Sequence, residues 1–163
     1  MPTPVLVVDD HRTFADLMVL GLDAQPDLRC AGVAYGVEQA RRLAAAVPYR
    51  AAVVDLALPD GDGAELVREL HGHAPDARIV VLTAHPRSDL ARRAFEAGAS
   101  AVLPKWGRLD DVLKALRASG RTPVHPPRDP LTPRERHVIT LLADGADVQG
   151  IASPLRLSPF TVR

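Results

Sequence analysis

The chain lacks several features that would assign it to a protein class at once. It has 163 residues and one cysteine, Cys30, which excludes a disulfide framework. This cysteine lies in the apolar stretch 28–34, where we expect it to pack in a core. Twenty basic residues balance twenty acidic ones, so the net charge of zero gives no overall attraction to nucleic acid or membranes. No apolar run is long enough for a signal peptide or a membrane span, so we expect a cytoplasmic protein without a membrane partner.

The sequence does contain four short apolar runs, each followed by polar residues. The runs are residues 5–8, 51–54, 79–82 and 101–104, and the residues after them are Asp9 with Asp10, Asp55, Thr83 and Lys105. Runs this short and apolar are typical of strands buried on both faces of a parallel sheet. Ligands bind beyond the carboxyl ends of such strands. The pattern therefore predicts that three carboxylates, a hydroxyl and an ammonium meet at one edge of the sheet.

Amphipathic helical patterns separate these runs and predict the fold. Apolar residues recur at helical spacing within 14–21, 37–47, 66–70, 90–95 and 109–116, and a further strand candidate covers 28–34. Gly72 and Gly98 stand where helix ends are expected. The order is therefore β-α, repeated five times within residues 1–118. This alternation predicts an α/β fold, a doubly wound five-stranded parallel sheet with right-handed crossovers.

A proline-rich stretch and a short second unit follow. Residues 119–130 contain four prolines, a density that favours an extended linker. The segment 132–135 then has the pattern of a capping box, with threonine as N-cap, proline at the first helical position and glutamate at the third. Residues 131–163 are therefore predicted to form a small all-α appendage.

The acidic cluster indicates cation-assisted phosphoryl chemistry. Carboxylates about 4 Å apart repel by roughly 4 kcal/mol at an effective dielectric near 20, so Asp9, Asp10 and Asp55 need a cation or a proton among them. Carboxylate oxygens with water suit Mg²⁺. With the cation bound, Asp55 is the natural nucleophile because it stands alone at its strand end. Lys105 and Thr83 can then hold phosphoryl oxygens through an ammonium and a hydroxyl.

These motifs resemble those of bacterial two-component response regulators. The matching segments are 7–11, 54–63, 82–84 and 98–105, and residues 131–136 are similar to the opening of a LuxR-type helix-turn-helix. The best match is the NarL/LuxR class. The resemblance implies a receiver domain of flavodoxin-like fold over 1–118, a linker over 119–130 and a partial LuxR-type helix-turn-helix domain over 131–163. It also implies a regulator of transcription rather than an enzyme, with DNA as a partner and a homodimer formed through the receiver domain.

The resemblance implies roles for the acidic residues. Asp55 would accept a phosphoryl group from the phosphohistidine of a sensor histidine kinase. Mg²⁺ would be bound by Asp10, Asp55 and the carbonyl of Ala57, with Asp9 acting mainly through water. Ala57 departs from the family pattern, because it has no polar side chain to orient an attacking water molecule.

The same resemblance assigns the phosphoryl contacts and reveals a second departure. Thr83 and Lys105 would bind the phosphoryl group, and the small Ala84 would leave it accessible. His85 is either a surface histidine or a partial substitute for the missing water-orienting side chain. Much of the family has an aromatic residue where this chain has Val102, and valine cannot make the inward swing of that aromatic. This departure leaves open an alternative, an atypical receiver that is controlled by protein contact or ligand binding without phosphorylation.

The C-terminal unit departs further from its family. Pro154 falls inside the predicted second helix, where proline costs about 3 kcal/mol, and Arg156 replaces a glycine that often forms the motif's corner. Residues 158–163 resemble only the start of a recognition helix, with Thr161 and Arg163 as its candidate DNA contacts. The local net charge from residue 131 onward is only +1. We therefore expect no specific DNA binding by these 163 residues; either the natural chain continues past Arg163 or the unit is degenerate.

Two other classes of protein have similar sequence features. Aspartyl phosphatases of the dehalogenase type also place an aspartate at a strand end, with a second aspartate two residues later as acid–base. Ala57 occupies that second position here, which argues against turnover chemistry. A flavin-binding module could have a similar strand order, but its phosphate loop needs hydroxyls and backbone N–H groups where this chain has Asp9 and Asp10.

Overall fold

Five strands and five helices alternate along residues 1–120, the part of the chain that this computed structural model describes. The strands are β1 Thr3–Val8, β2 Leu28–Ala34, β3 Ala51–Asp55, β4 Arg78–Thr83 and β5 Ala101–Pro104. The helices are α1 Arg12–Asp23, α2 Val37–Ala46, α3 Gly63–His73, α4 Asp89–Glu96 and α5 Leu109–Arg117. Each predicted strand is present, with its bounds extended by at most two residues, which confirms the α/β prediction.

The strands form one parallel sheet in the order β2-β1-β3-β4-β5. The chain first moves from β1 to one edge of the sheet and then crosses back to build the other side from β3 onward. The strand order therefore reverses between β1 and β3, and the crevice beyond the carboxyl ends of these two strands is where doubly wound folds bind ligands. The sequence prediction of a doubly wound sheet is confirmed.

Alternation along the strands divides the apolar side chains between two cores. Val5, Val7 and Val53 face α1 and α5, whereas Leu6 and Val8 face α2, α3 and α4. Both faces of the sheet are covered by helices, so every second residue of a central strand is as buried as its neighbours. This double coverage explains why the central runs are continuously apolar rather than alternating with polar residues.

One glycine is required by a close approach and another by its backbone angle. A Cβ atom at Gly63, the first residue of α3, would lie 2.6 Å from both the Cα and the carbonyl oxygen of Leu56, so no larger residue fits there. Gly98 follows α4 with φ +122°, a conformation that favours glycine and ends the helix as predicted. Gly72, by contrast, does not end α3, which continues to His73.

Two further expectations differ from the structure in detail. Helix α1 buries Ala15, Met18 and Leu22, whereas Leu17, an apolar residue within the predicted pattern 14–21, is 61% exposed. Cys30 is only half-buried at the margin of the core, and burial raises the pKa of its thiol. No helix within residues 1–120 is long and apolar enough to cross a membrane.

The predictions for the C-terminal unit fall on residues that the structure does not describe. These are the linker after Gly120, the capping box, Pro154, Arg156, and the candidate DNA contacts Thr161 and Arg163.

Candidate functional site

The carboxyl edge of the sheet, defined by Asp9, Asp55, Thr83 and Lys105, collects polar side chains that are buried. Four polar or charged residues are buried within 1–120, and Asp9, Asp55 and Thr83 are three of them. Each stands at the end of a different strand, and the register of the sheet aligns those ends by pairing Val8 with Val54. The residues that the sequence predicted to meet do meet, because the strands are parallel and their carboxyl ends are level.

Lys105 holds the two buried carboxylates together. Its Nζ donates to Asp55 Oδ2 at 2.8 Å and to Asp9 Oδ1 at 2.9 Å, with Asp9 Oδ2 also within 2.8 Å. Burial alone would lower the pKa of Lys105, but the hydrogen bonds to Asp55 and Asp9 and their negative charges outweigh it, and the pKa is raised. The ammonium also lies 4.8 Å from the ring centroid of Phe14, within cation–π range. Lys105 is therefore a fixed cation in this site.

Short backbone contacts fix the loops that follow the strands. The amide of Ala57 donates to Asp55 Oδ1 at 3.1 Å, and the amide of His85 donates to Thr83 Oγ1 at 3.0 Å. The amide of Lys105 donates to the Thr83 carbonyl at 2.9 Å, which sets the lysine beside the threonine. Thr83 is buried, whereas Ala84 and the side-chain position of Ala57 are exposed at the mouth of the site. The threonine hydroxyl and the lysine ammonium therefore lie on neighbouring strands at one opening.

A second pair of residues completes the acidic side. Asp10 is partly exposed, and its Oδ1 lies 2.9 Å from His11 Nδ1. The backbone amide of His11 donates to Asp9 Oδ1 at 2.9 Å, so the loop after β1 is anchored on the carboxylate that also binds Lys105. The sequence predicted no role for His11 beyond its place in the family motif.

The donor atoms fit a divalent cation. Single oxygen or nitrogen atoms from Asp9, Asp10, His11 and Asp55 lie within 4.8 Å of one another. Asp10 Oδ1 is buried and accepts no hydrogen bond from any residue in the described part of the chain. Three carboxylates with one ammonium also leave the cluster short of positive charge. Oxygen-rich sites of this kind suit Mg²⁺.

Two acidic residues near the site, Asp60 and Asp62, have structural roles that the sequence did not predict. Asp60 accepts from the amides of Val37 at 2.7 Å and Glu38 at 3.1 Å, so it caps α2 from the loop after β3. These hydrogen bonds lower the pKa of Asp60. Asp62 caps α3 and forms a 2.7 Å ion pair with Arg93 of α4. Only a contact map could have revealed the capping of α2, because the two segments are 23 residues apart in sequence.

The two arginines of α4 make different kinds of contact. Arg92 is exposed and pairs with Asp89 at 2.5 Å and with Glu96 at 2.5 Å on its own helix. Arg93 differs, because its ion pair with Asp62 ties α4 to α3 and raises the pKa of Arg93.

The family of the chain follows from matches that span both predicted units. Residues 5–117 match the response regulator receiver domain family, and residues 129–163 match the family of bacterial regulatory proteins of the luxR family. The chain belongs to the response regulators that combine a receiver domain with a LuxR-type DNA-binding domain.

Similar proteins include two transcriptional regulators and one solved structure. The DNA-binding transcriptional activator DevR/DosR of Mycobacterium tuberculosis is 30% identical over 179 residues, covering 98% of this chain and 82% of that protein. The transcriptional regulatory protein UhpA of Salmonella typhimurium is 33% identical over 172 residues, and the match covers 97% of this chain and 85% of that protein. The solved structure is a response regulator from Burkholderia pseudomallei with a phosphorylated aspartic acid, a calcium ion and citrate. It matches with a TM-score of 0.67 at 27% identity, and the match covers 96% of this chain and 94% of that chain.

Proposed function

We propose that this protein is the response regulator of a two-component phosphorelay. It accepts a phosphoryl group on Asp55 from a sensor histidine kinase, with Mg²⁺ in the acidic site, and regulates transcription through its C-terminal helix-turn-helix. The observation that supports this most directly is the position of Asp55. Its carboxylate is 2% exposed, lies at the switch point of the sheet, and is held 2.8 Å from the ammonium of Lys105.

The chemistry follows from the charges around Asp55. An oxygen of its carboxylate forms the new P–O bond while the P–N bond of the donor phosphohistidine breaks, and the leaving imidazole keeps the electron pair of that bond and takes up a proton. Mg²⁺ held by Asp9, Asp10, Asp55 and the Ala57 carbonyl would neutralise phosphoryl oxygens during this transfer. Lys105 supplies a second, built-in cation for the same oxygens.

Other residues complete the phosphoryl pocket. Thr83 presents a hydroxyl on the strand next to Asp55, and its Oγ1 already accepts from the His85 amide, so its hydrogen is free to be donated to a phosphoryl oxygen. Ala84 adds no bulk at the exposed mouth. His85 is exposed beside Thr83, where it could contribute to hydrolysis of the acyl phosphate in place of the missing polar side chain at Ala57.

Asp55 is favoured over its neighbours because of what those neighbours already do. Both oxygens of Asp9 contact Lys105, and one also accepts from the His11 amide. Asp60 and Asp62 cap helices and are exposed. Asp55 is the carboxylate that combines burial with a place on the central strand β3.

One observation favours a second candidate function. Val102, where much of the family carries an aromatic residue, is 1% exposed and packs in the core beneath α4. No aromatic residue is present in β5 to change place with it. A receiver that responds to protein contact or a ligand without phosphorylation is therefore the alternative.

The partners follow from the same proposal. We expect a cytoplasmic protein that binds a histidine kinase and, through the C-terminal unit of the intact protein, DNA. Large apolar side chains exposed on and near α1 and α5 support a homodimer formed through the receiver domain: Leu17, Leu20, Trp106 and Leu109.

Phosphorylation can be tested without knowing the kinase. The full chain is incubated with acetyl phosphate and Mg²⁺, and its intact mass is measured. We expect one added phosphoryl group, absent in Asp55→Asn and retained in Asp16→Asn, a matched change at an exposed aspartate of α1. Equal labelling of Asp55→Asn would refute the assignment of the acceptor. A wild-type chain that takes no label from acetyl phosphate or from a panel of kinases would favour the alternative.

A further inference from the structure

The side chain of His11 is part of the acidic cluster. Its Nδ1 lies 2.9 Å from Asp10 Oδ1, 3.4 Å from Asp9 Oδ1 and 3.3 Å from Lys105 Nζ. It also belongs to the group of four residues whose ligand atoms lie within 4.8 Å of one another. Magnesium prefers oxygen ligands, so the proposed phosphorelay chemistry gives this imidazole nitrogen no metal-binding role.

The close contact between His11 and Asp10 is not a hydrogen bond. Its length of 2.9 Å is typical of an ion pair, yet Asp10 Oδ1 is buried and accepts no hydrogen bond within residues 1–120. Lys105 Nζ, which can only donate, lies 3.3 Å from the same Nδ1, so this nitrogen can act as an acceptor that carries a lone pair and no proton. Around a metal with bonds of about 2.05 Å, two ligand atoms at right angles are about 2.9 Å apart. The nitrogen and the oxygen therefore have the spacing of two neighbouring ligands of one cation.

We propose that His11 supplies a nitrogen ligand through which this site binds a first-row transition-metal divalent cation, such as Ni²⁺ or Zn²⁺, in competition with Mg²⁺. The inference rests on the proposed function, because the same carboxylates serve both cations. Imidazole is a preferred ligand of Ni²⁺, Cu²⁺ and Zn²⁺, whereas Mg²⁺ gains little from it. The chain thus couples one nitrogen donor to the oxygen ligands of a magnesium site.

The surroundings of His11 fit this role. Its side chain is 65% exposed, so an incoming ion reaches it from solvent without opening the fold. Its backbone is fixed by the 2.9 Å hydrogen bond from its amide to Asp9 Oδ1, which keeps the ring beside the carboxylates. An ion bound there would occupy oxygens that Mg²⁺ needs, so transition metal and Mg²⁺ would exclude one another.

Calorimetric titration of the full chain tests the proposal directly. Ni²⁺ and Mg²⁺ are titrated separately into the wild type, His11→Asn and, as a matched control, His73→Asn, an exposed histidine at the end of α3 and outside the site. The chain has six histidines, and Ni²⁺ bound away from this site is common to the wild type and His11→Asn, so it cancels in the comparison of these two. Fluorescence of the single tryptophan, Trp106, which adjoins Lys105, reports binding close to the site because Ni²⁺ is a quencher.

We expect His11→Asn to weaken Ni²⁺ binding at the site reported by Trp106 by about tenfold or more, since one first-row-metal ligand is lost. Its Mg²⁺ affinity should stay within about twofold, because Mg²⁺ takes oxygen ligands. Retained Mg²⁺ binding also shows that the variant is folded. In the wild type, saturating Ni²⁺ should suppress the Mg²⁺ binding heat.

Contrary outcomes separate this inference from the proposed function. Equal Ni²⁺ affinities for the wild type and His11→Asn, or an equal loss in His73→Asn, would overturn the role of His11 while leaving the phosphorelay intact. If instead the wild type binds neither cation at this site, the proposed Mg²⁺ site fails together with the inference.

Discussion

The two edges of the sheet handle polar groups in opposite ways. At the carboxyl edge, Asp9 and Asp55 are buried with Lys105 as their shared cation, and Asp10 adds a further negative charge. Like charges are thus concentrated where they repel. The arrangement is suited to binding a cation and a phosphoryl group, but the repulsion among its carboxylates lowers the stability of the fold.

The amino edge, defined by Tyr49, Arg78 and Ser100, uses its polar groups to tie segments together. Tyr49 Oη donates to the Leu70 carbonyl at 2.8 Å, and Ser100 Oγ accepts from the Ile79 amide at 3.3 Å. Arg78 donates to the carbonyls of Ala115 and Gly120, although its Nη2 has no hydrogen-bond partner within residues 1–120. Because these groups are matched to backbone atoms, changes here should lower stability without affecting phosphorylation. We therefore expect neutralisation of Asp10 at the carboxyl edge to raise stability, whereas loss of a polar group at the amino edge should lower it.

Removing the cation of the carboxyl edge should have the largest effect. In Lys105→Met, two buried carboxylates lose their counter-charge. We therefore expect the free energy of unfolding in EDTA to fall by about 2 kcal/mol. Labelling by acetyl phosphate should slow by about 100-fold or more, since the charged group that we propose contacts the phosphoryl oxygens is lost. Urea unfolding and timed mass spectrometry measure both effects. Lys114→Met, on the exposed side of α5, is the matched control, and equal labelling rates for the two variants would contradict the role of Lys105.

Neutralising one acid at the same edge should stabilise the metal-free protein. Asp10→Asn relieves repulsion within the cluster, and we expect the melting temperature in EDTA to rise by about 3 °C. Added Mg²⁺ should stabilise this variant less than the wild type, because a proposed direct ligand is weakened. Asp9→Asn serves for comparison: both oxygens of Asp9 contact Lys105, so its neutralisation should not stabilise the protein. An unchanged Mg²⁺ response in Asp10→Asn would remove it from the ligand set.

The smallest effect is expected at the amino edge. Tyr49→Phe removes the hydrogen bond to the Leu70 carbonyl, and we expect a loss of about 1 kcal/mol in the free energy of unfolding. Phosphorylation of Asp55 should proceed at the wild-type rate. Tyr35→Phe is the control, because the Tyr35 hydroxyl makes no hydrogen bond within the described residues. A clear loss of labelling in Tyr49→Phe would show that the amino edge influences phosphorylation at the carboxyl edge and would contradict this expectation.

The strands and the main site residues could be predicted because one physical rule governs both. A sheet covered on both faces requires continuously apolar strands, and parallel strands place the residues that follow them at one edge. Asp9, Asp55, Thr83 and Lys105 were found in this way, and the structure brings them together.

Features that depend on contacts between distant segments could not be predicted from the sequence. The capping of α2 by Asp60 joins residues far apart in the chain, and the exposed position of Leu17 depends on how much of α1 its neighbours cover. The contact of Lys105 with Asp9 was missed for a related reason. Strand ends predict which residues share an edge, but side-chain length and local charge decide which of them touch. His11 was overlooked because it lies beyond the strand, in a loop whose path no periodic pattern specifies.

Gly63 has a consequence for any large-scale mutational survey of this protein. A survey scored by signalling output would find position 63 as intolerant of change as Asp55, because every other side chain would collide with the backbone of Leu56. That intolerance would carry no information about chemistry, since it arises from the tight junction between the β3–α3 loop and α3. A parallel score for cellular abundance would separate the two positions: variants at Gly63 would be depleted from the cell, and Asp55→Asn would accumulate as a folded but silent protein.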